Sequence, residues 1–117
     1  MSRRGMGELE AAVMEALWSA EDGLTPREVH DRVADDLGYT TVMTVVTRLW
    51  DKGLLRREPE GRSFRYRPTT TAADHHSDRM RAALAKAADR SAVLASFVSQ
   101  LDESDRSLLA DLLDDEA

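Results

Sequence analysis

The hydrophobic pattern of residues 8–68 constrains the fold more than any other feature of the sequence. Apolar side chains recur with a helical period in residues 8–20, 26–37 and 41–52, about 100° apart on each helix. Residues 54–58 and 63–68 instead have the period of strands, with Phe64 and Tyr66 on one side of the second. An isolated hairpin is marginal in water, so this side is expected to pack on the helices.

Local signals predict where these elements begin and end. Residues Thr25–Glu28 form a capping box with Pro26 at the first helical position, which predicts the start of the second helix. Gly38 is expected to end that helix in a left-handed conformation, with Thr40 or Thr41 capping the third helix. Pro59–Gly61 are expected to form the hairpin turn.

Residues 69–117 have a helical pattern throughout and are predicted to be a region separate from residues 1–68. Thr69–Thr71 are a short connection or the cap of a fourth helix, and Ser104 is the expected cap of the last one. Three thin amphipathic helices rarely close a core, so we expect oligomerisation, although some apolar residues would fill the protomer's own core. The candidate dimerisation residues are Leu94, Phe97, Val98, Leu101, Leu108, Leu109, Leu112 and Leu113.

Three helices followed by a two-stranded hairpin are the element order of a winged helix, a mainly α fold with a small antiparallel β-hairpin (α+β). The short connection before the third helix is typical of helix-turn-helix proteins, in which the later helix enters the DNA major groove. Hydroxyl and methyl groups on its outer face can contact base edges and thymine methyls. The candidate base-reading residues are Thr40, Thr41, Met43, Thr44 and Thr47.

The formal net charge of −6 excludes a protein that coats DNA non-specifically, because phosphate neutralisation needs clustered positive charge. The charge is unevenly placed. Residues 40–68 contain seven Lys and Arg against three Asp and Glu, a balance of +4 that leaves −10 on the rest of the chain. The candidate phosphate-contacting residues of the third helix and the wing are Arg48, Lys52, Arg62, Arg65 and Arg67.

Motifs over residues 7–68 resemble those of the penicillinase repressor family (BlaI/MecI/CopY type). Other winged-helix families do not combine this first-helix motif with a YTTVMT third helix. The matching motifs are Gly7-Glu8-Leu9-Glu10, Val13-Met14, Leu17-Trp18, Val29-His30, Tyr39-Thr40-Thr41-Val42-Met43-Thr44, Arg48-Leu49, Lys52-Gly53-Leu54 and Gly61-Arg62 with Tyr66.

The resemblance implies a homodimeric repressor, often of a β-lactamase-type or related stress operon, with a helical dimerisation region at its C-terminal end. A two-fold dimer would bind an inverted-repeat operator. In the family, a membrane sensor with a metallopeptidase domain directs cleavage of the dimerisation region. The corresponding position here is Ser96-Phe97, where the best-known members have Asn before Phe. Because this chain has Ser there, Phe97 is interpreted first as an ordinary core residue, with the cleavage site as the alternative.

Other functions find less support in the sequence. The absence of cysteine excludes thiolate metal sites, including the copper site of some family members. Asp74, His75, His76 and Asp78 form the one metal-like cluster, but adjacent histidines diverge by about 100° on a helix, so no metal or other cofactor is expected.

No nucleophile motif is present, so we do not expect an enzyme. An RNA-binding or protein-interaction winged helix is the remaining alternative, which aromatic residues exposed on the wing would favour. The first residues lack an apolar run of signal-peptide length, and a cytoplasmic protein is therefore expected.

Overall fold

The structure is a computed structural model, and it describes residues 5–33 and 37–116. Its helices and strands confirm the mainly α fold with one small antiparallel hairpin. The chain divides into two compact units, Met1–His75 and His76–Ala117. The elements are α1 (Met6–Trp18), α2 (Pro26–Val33), α3 (Tyr39–Asp51), β1 (Leu55–Glu60), β2 (Ser63–Pro68), α4 (Ala72–Ala85), α5 (Arg90–Ser99) and α6 (Glu103–Glu116).

The core of the first unit lies between α1, α2, α3 and the hairpin. Helix α1 is central, as its two apolar sides predict: it contacts α2, α3 and β2 and buries Met14 as well as the main stripe. Tyr66 is 1% exposed, which confirms that this side of β2 packs inward. The buried apolar residues are Leu9, Val13, Met14, Leu17, Leu24, Val29, Val42, Val45, Val46, Leu49, Leu55 and Tyr66.

The connection between α1 and α2 is joined to the hairpin. The backbone amide of Leu24 donates to the Tyr66 carbonyl at 3.0 Å, and the Tyr66 amide donates to the Leu24 carbonyl at 2.8 Å. Gly23 has φ +73°, and a Cβ atom there would lie 2.5 Å from the Tyr66 carbonyl oxygen. Only glycine fits this position without displacing backbone. Its lack of a side chain lets the two Leu24–Tyr66 hydrogen bonds form, and these hold the wing against the helices.

The hairpin turn was predicted wrongly. Pro59 and Glu60 lie in β1, and the two-residue loop consists of Gly61 and Arg62, with φ +61° at Gly61. Proline lacks an amide hydrogen, but β1 is an edge strand, so Pro59 costs no ladder hydrogen bond on that side. The loop begins at Gly61 because glycine supplies the positive φ that a two-residue loop needs.

The start of α2 is as predicted, whereas the start of α3 is not. Thr25 Oγ1 accepts from the Glu28 amide at 3.3 Å, and Glu28 Oε1 accepts from the Thr25 amide at 3.0 Å, so the capping box is confirmed. Gly38 has φ −70° and ψ 154° and is the N-cap of α3, rather than a left-handed end of α2. Thr40 is therefore already inside the helix, and its side chain is exposed.

Polar side chains cap the helices that follow the wing. Thr71 Oγ1 accepts from the Asp74 amide at 3.0 Å, and the Asp89 side chain accepts from the Ala92 amide at 3.0 Å. The cap of α6 is Asp102, whose carboxylate accepts from the Asp105 amide at 2.8 Å, and the prediction of Ser104 was wrong. A carboxylate also interacts favourably with the positive end of the helix dipole, which a neutral hydroxyl does less well.

Trp18 contacts residues that follow the hairpin within the first compact unit. Its indole Nε1 donates to the Thr70 carbonyl at 2.9 Å, and its ring lies 5.2 Å from that of His75. These contacts attach the first residues after the wing to the end of α1.

Candidate nucleic-acid interface

The outer face of α3 carries hydroxyl groups opposite a fully buried apolar face. Val42, Val45, Val46 and Leu49 are each at most 1% exposed, whereas Thr40 and Thr44 are exposed on the other side. The predicted residues Thr40, Met43, Thr44 and Thr47 line one shallow depression together with Arg48 and Asp51. Thr41 is half-buried at the side of this face.

The hydroxyl of Thr44 is oriented by the helix itself. Its Oγ1 donates to the Thr40 carbonyl at 3.0 Å. Because this bond uses the hydroxyl hydrogen, the oxygen is left as an acceptor, and the methyl group is held beside it. Thr44 therefore presents a fixed acceptor and a fixed methyl, the two features by which a threonine can discriminate bases in the major groove.

Three of the predicted phosphate-contacting residues form ion pairs within the protein. Lys52 Nζ lies 2.9 Å from Glu10 Oε2, and Arg67 Nε lies 3.1 Å from Glu58 Oε1. The guanidinium of Arg65 contacts Glu60 at 2.7 Å. Each of these cations would have to exchange or share its carboxylate in order to bind a phosphate.

Arg65 has the most extensive set of partners. Its Nη1 donates to the Gly23 carbonyl at 3.0 Å and lies 3.3 Å from Glu28 Oε1, in addition to the two hydrogen bonds to Glu60. The hydrogen bond to Arg65 holds the pKa of Glu60 below its ordinary value, and the same bond raises the pKa of Arg65. Arg65 thus attaches the wing to the start of α2.

Arg48 and Arg62 are exposed and form no ion pair within the described part of the chain. Arg56 shares both properties and was not predicted from the sequence. Across the hairpin, Arg56 lies directly opposite Arg67, a pairing of like charges that is unfavourable for the isolated strands. An anion beside the wing would relieve this repulsion.

Arg57, on the same strand, is in a different environment and was not predicted either. Its guanidinium carbon lies 3.8 Å from the centre of the Trp50 ring and 4.0 Å from that of Phe64. Arg57 covers both aromatic faces, so neither ring offers an open face on that side for stacking with a single-stranded base. Nothing in the sequence spacing of these three residues shows that they meet.

A second candidate surface lies on the C-terminal helices. No side chain from Ala72 to Asp115 is buried, and six of the eight predicted dimerisation residues are between 43% and 64% exposed. Leu101 and Leu109 are half-buried. Met80 and Val93 are also exposed large apolar residues. Met80 was missed because it stands between Arg79 and Arg81, where the sequence shows no stripe.

Ser96 and Phe97 lie inside α5, where the Ser96 hydroxyl accepts from Gln100 Nε2 at 3.2 Å. Phe97 is 45% exposed, and its interpretation as a core residue of the protomer was therefore wrong. Peptidases bind extended backbone, so cleavage between these residues would require α5 to open locally.

The part of the chain that the structure describes holds no group of three or more metal-ligating side chains able to share an ion. No helix within residues 5–33 or 37–116 is long and apolar enough to cross a membrane.

Comparison with known proteins gives consistent matches. Residues 6–115 match the family described as "Penicillinase repressor". The "Transcriptional regulator BlaI" of Mycobacterium tuberculosis is 41% identical over 116 residues, which span 92% of this chain and 84% of that protein.

Among solved structures, the DNA-binding domain of the repressor BlaI is similar with a TM-score of 0.51 and 29% identity, over 56% of this chain and 82% of that one. A mutant of Staphylococcus aureus MepR has a TM-score of 0.50 at 18% identity, over 93% of this chain and 75% of that one, which shows the fold alone.

Proposed function

The chain belongs to the penicillinase repressor family, and we propose that it is a DNA-binding transcriptional repressor that acts as a homodimer on an inverted-repeat operator. The hydroxyl-bearing outer face of α3 carries this proposal. That face is opposite a buried face, belongs to the third helix of a winged helix, and is flanked by exposed arginines.

In the proposed complex, α3 lies in the major groove. Thr40, Thr44 and Thr47 face the base edges, with Met43 and Thr41 at the sides of the contact. Thr44 would accept a hydrogen bond from an amino group of adenine or cytosine, since its own hydrogen is donated to Thr40. Asp51 on the same face would repel phosphate, which favours the orientation that keeps it over the groove.

The phosphate contacts are proposed in two groups. Arg48 on α3 and Arg62 at the wing tip are exposed and unpaired in the described structure, so they can bind phosphate without giving up a carboxylate. Lys52, Arg65 and Arg67 contribute a weaker positive field, because Glu10, Glu60 and Glu58 partly neutralise them.

A second copy of the chain is the proposed partner of the C-terminal helices. Burying a Leu or Phe side chain fully contributes about 1.5–3 kcal/mol. The exposed apolar residues of α5 and α6, at 43–64% exposure, gain only part of this within one protomer. A two-fold axis through this region would place two α3 helices about 34 Å apart, one turn of DNA.

The operator is identified by selection with the wild-type protein from a pool of random-sequence DNA duplexes. We expect the enriched sequence to be an inverted repeat whose half-sites are one helical turn, or a whole number of turns, apart. A duplex with this sequence is called the selected duplex below. Recovery of a non-repetitive site, or no enrichment at all, would contradict the proposal. Preferential enrichment from an RNA pool would favour the RNA-binding alternative.

Arg48→Gln and Arg62→Gln are expected to weaken binding to all duplexes by similar factors. Each should make the slope of log affinity against log salt shallower by about 0.9 for every phosphate that the protein no longer neutralises. Arg79→Gln, an exposed arginine of the second unit, is the control and should leave the slope unchanged. A wild-type affinity that barely depends on salt would exclude the proposed phosphate contacts.

Release from DNA is proposed to follow cleavage at Ser96-Phe97 in the cytoplasm, directed by a membrane sensor-peptidase. This proposal rests on the family and on the exposure of Phe97. Cleavage there would separate α6 from the rest of the chain and remove part of the dimerisation surface.

A further inference from the structure

The stack of Trp50, Arg57 and Phe64 connects the recognition helix to the wing. Trp50 is in the last turn of α3, Arg57 is in β1, and Phe64 is in β2. The guanidinium of Arg57 lies between the two rings, and its Nη1 also donates to the Tyr66 hydroxyl at 3.4 Å. Both rings and the hydroxyl therefore fix one planar cation.

The stack acts at a different place from the backbone hydrogen bonds of the hairpin base. Near the base, the Leu54 amide donates to the Leu49 carbonyl at 3.0 Å, and the Thr69 amide donates to the Leu54 carbonyl at 3.0 Å. Phe64 pairs with Pro59, one position from the Glu60–Ser63 pair that closes the loop. The stack thus reaches from α3 toward the wing tip, which the base contacts leave uncovered.

Arg57 is poorly placed to be a phosphate ligand itself. Both faces of its guanidinium are covered, one amino group is bonded to Tyr66, and the side chain is half-buried. A cation over two aromatic faces gains a favourable interaction with each, which a phosphate would have to disrupt. Its contribution to DNA binding is better explained by the way it fixes the positions of Trp50 and Phe64.

We propose that Arg57 is a positioning residue for DNA binding: by clamping between Trp50 and Phe64 it holds the wing tip so that Arg62 reaches phosphate while α3 occupies the major groove. This inference rests on the proposed function. A wing that is already ordered in the free protein does not have to be ordered on binding, and affinity gains by that amount.

The decisive variant is Trp50→Leu, because it removes the stack without changing any charge. We expect about a tenfold loss of affinity for the selected duplex, the order of magnitude for ordering one or two side chains on binding. We also expect a salt slope shallower by about 0.9 for each phosphate that the released wing no longer neutralises. Lowered stability alone would not change the salt slope of the folded protein.

Matched variants separate position from charge. Arg57→Gln should lower the affinity for the selected duplex as much as Trp50→Leu does. The double variant should bind no more weakly than the weaker-binding single variant, since both substitutions break the same contact. Trp50→Phe keeps an aromatic face and should retain most of the affinity. Arg79→Gln removes the same charge from an exposed position of the second unit and should leave the stack intact.

Hydroxyl-radical footprinting on the selected duplex, with thermal melting as the check on folding, completes the test. Trp50→Leu and Arg57→Gln should lose protection of the backbone beside each half-site and keep protection of the half-site itself, whereas Arg79→Gln should keep both. The inference alone is overturned if wild type and Trp50→Leu have the same footprint and salt slope, or if only Arg57→Gln changes the slope. If wild type selects no duplex, the proposed function fails and this inference fails with it.

Discussion

Replacement of Phe97 or Leu112 by Glu is expected to convert the protein into a monomer and to weaken binding to the selected duplex by at least about a hundredfold, because a dimer binds its second half-site at a high effective concentration. Both side chains are about half exposed in one protomer, at 45% and 53%. A Glu there creates no cavity in the first unit, but it would place an unpaired charge in the proposed dimer interface.

Sedimentation equilibrium and binding isotherms test this prediction together. Ser104→Glu is the control, because it adds the same charge at an exposed polar position beside the α6 cap, and it should remain a dimer with wild-type affinity. The melting of the first unit should be unchanged in all three variants. A Phe97→Glu protein that still sediments as a dimer would contradict the assignment of this surface.

Replacement of Thr40, Thr44 and Thr47 together by Ala is expected to lower the ratio of affinities for selected and random duplexes by about a hundredfold. Good bidentate base contacts contribute about 1–3 kcal/mol each, and a single hydroxyl or methyl contributes less. Alanine is also the better helix former, so α3 should not be weakened by the change. The loss therefore reports base recognition rather than unfolding.

The affinity of this triple variant for random duplex DNA is the internal control, because it reports the phosphate contacts of Arg48 and Arg62, which remain in place. It should stay within about threefold of wild type because non-specific binding is electrostatic. Ser107→Ala, which removes a hydroxyl from an exposed position of α6, should change neither affinity. An equal loss on selected and random duplexes would show that the three threonines do not read bases.

Much of the fold follows from the sequence because periodicity reflects burial directly. The apolar stripes of α1 and α3 became buried faces, Val29 of α2 is buried with Val33 and Leu37 half-buried, and the Thr25–Glu28 capping box closed as its spacing requires. Two wrong predictions concern helix ends, where more than one neighbouring residue can act as the cap. Gly38 can begin one helix as readily as end another, and Asp102 competed with Ser104 for the same cap.

The hydroxyl-bearing outer face of α3 could be predicted because helix geometry alone places its residues opposite the buried stripe. The state of the wing arginines could not. Arg65 meets Glu28, 37 residues away in sequence, and Lys52 meets Glu10, 42 residues away. Only the folded chain shows which cations are already paired, which are exposed, and that Arg57 lies between two rings.

The affinity of wild type for a selected duplex lengthened by half a turn between its half-sites tests the central claim most directly. Insertion of about five base pairs rotates one half-site to the opposite side of the DNA, so that a rigid two-fold dimer can bind only one. We predict that affinity falls to that of a single half-site, and that an insertion of about one full turn is tolerated better. Unchanged affinity after the half-turn insertion would contradict a dimer that presents two α3 helices to one face of the duplex.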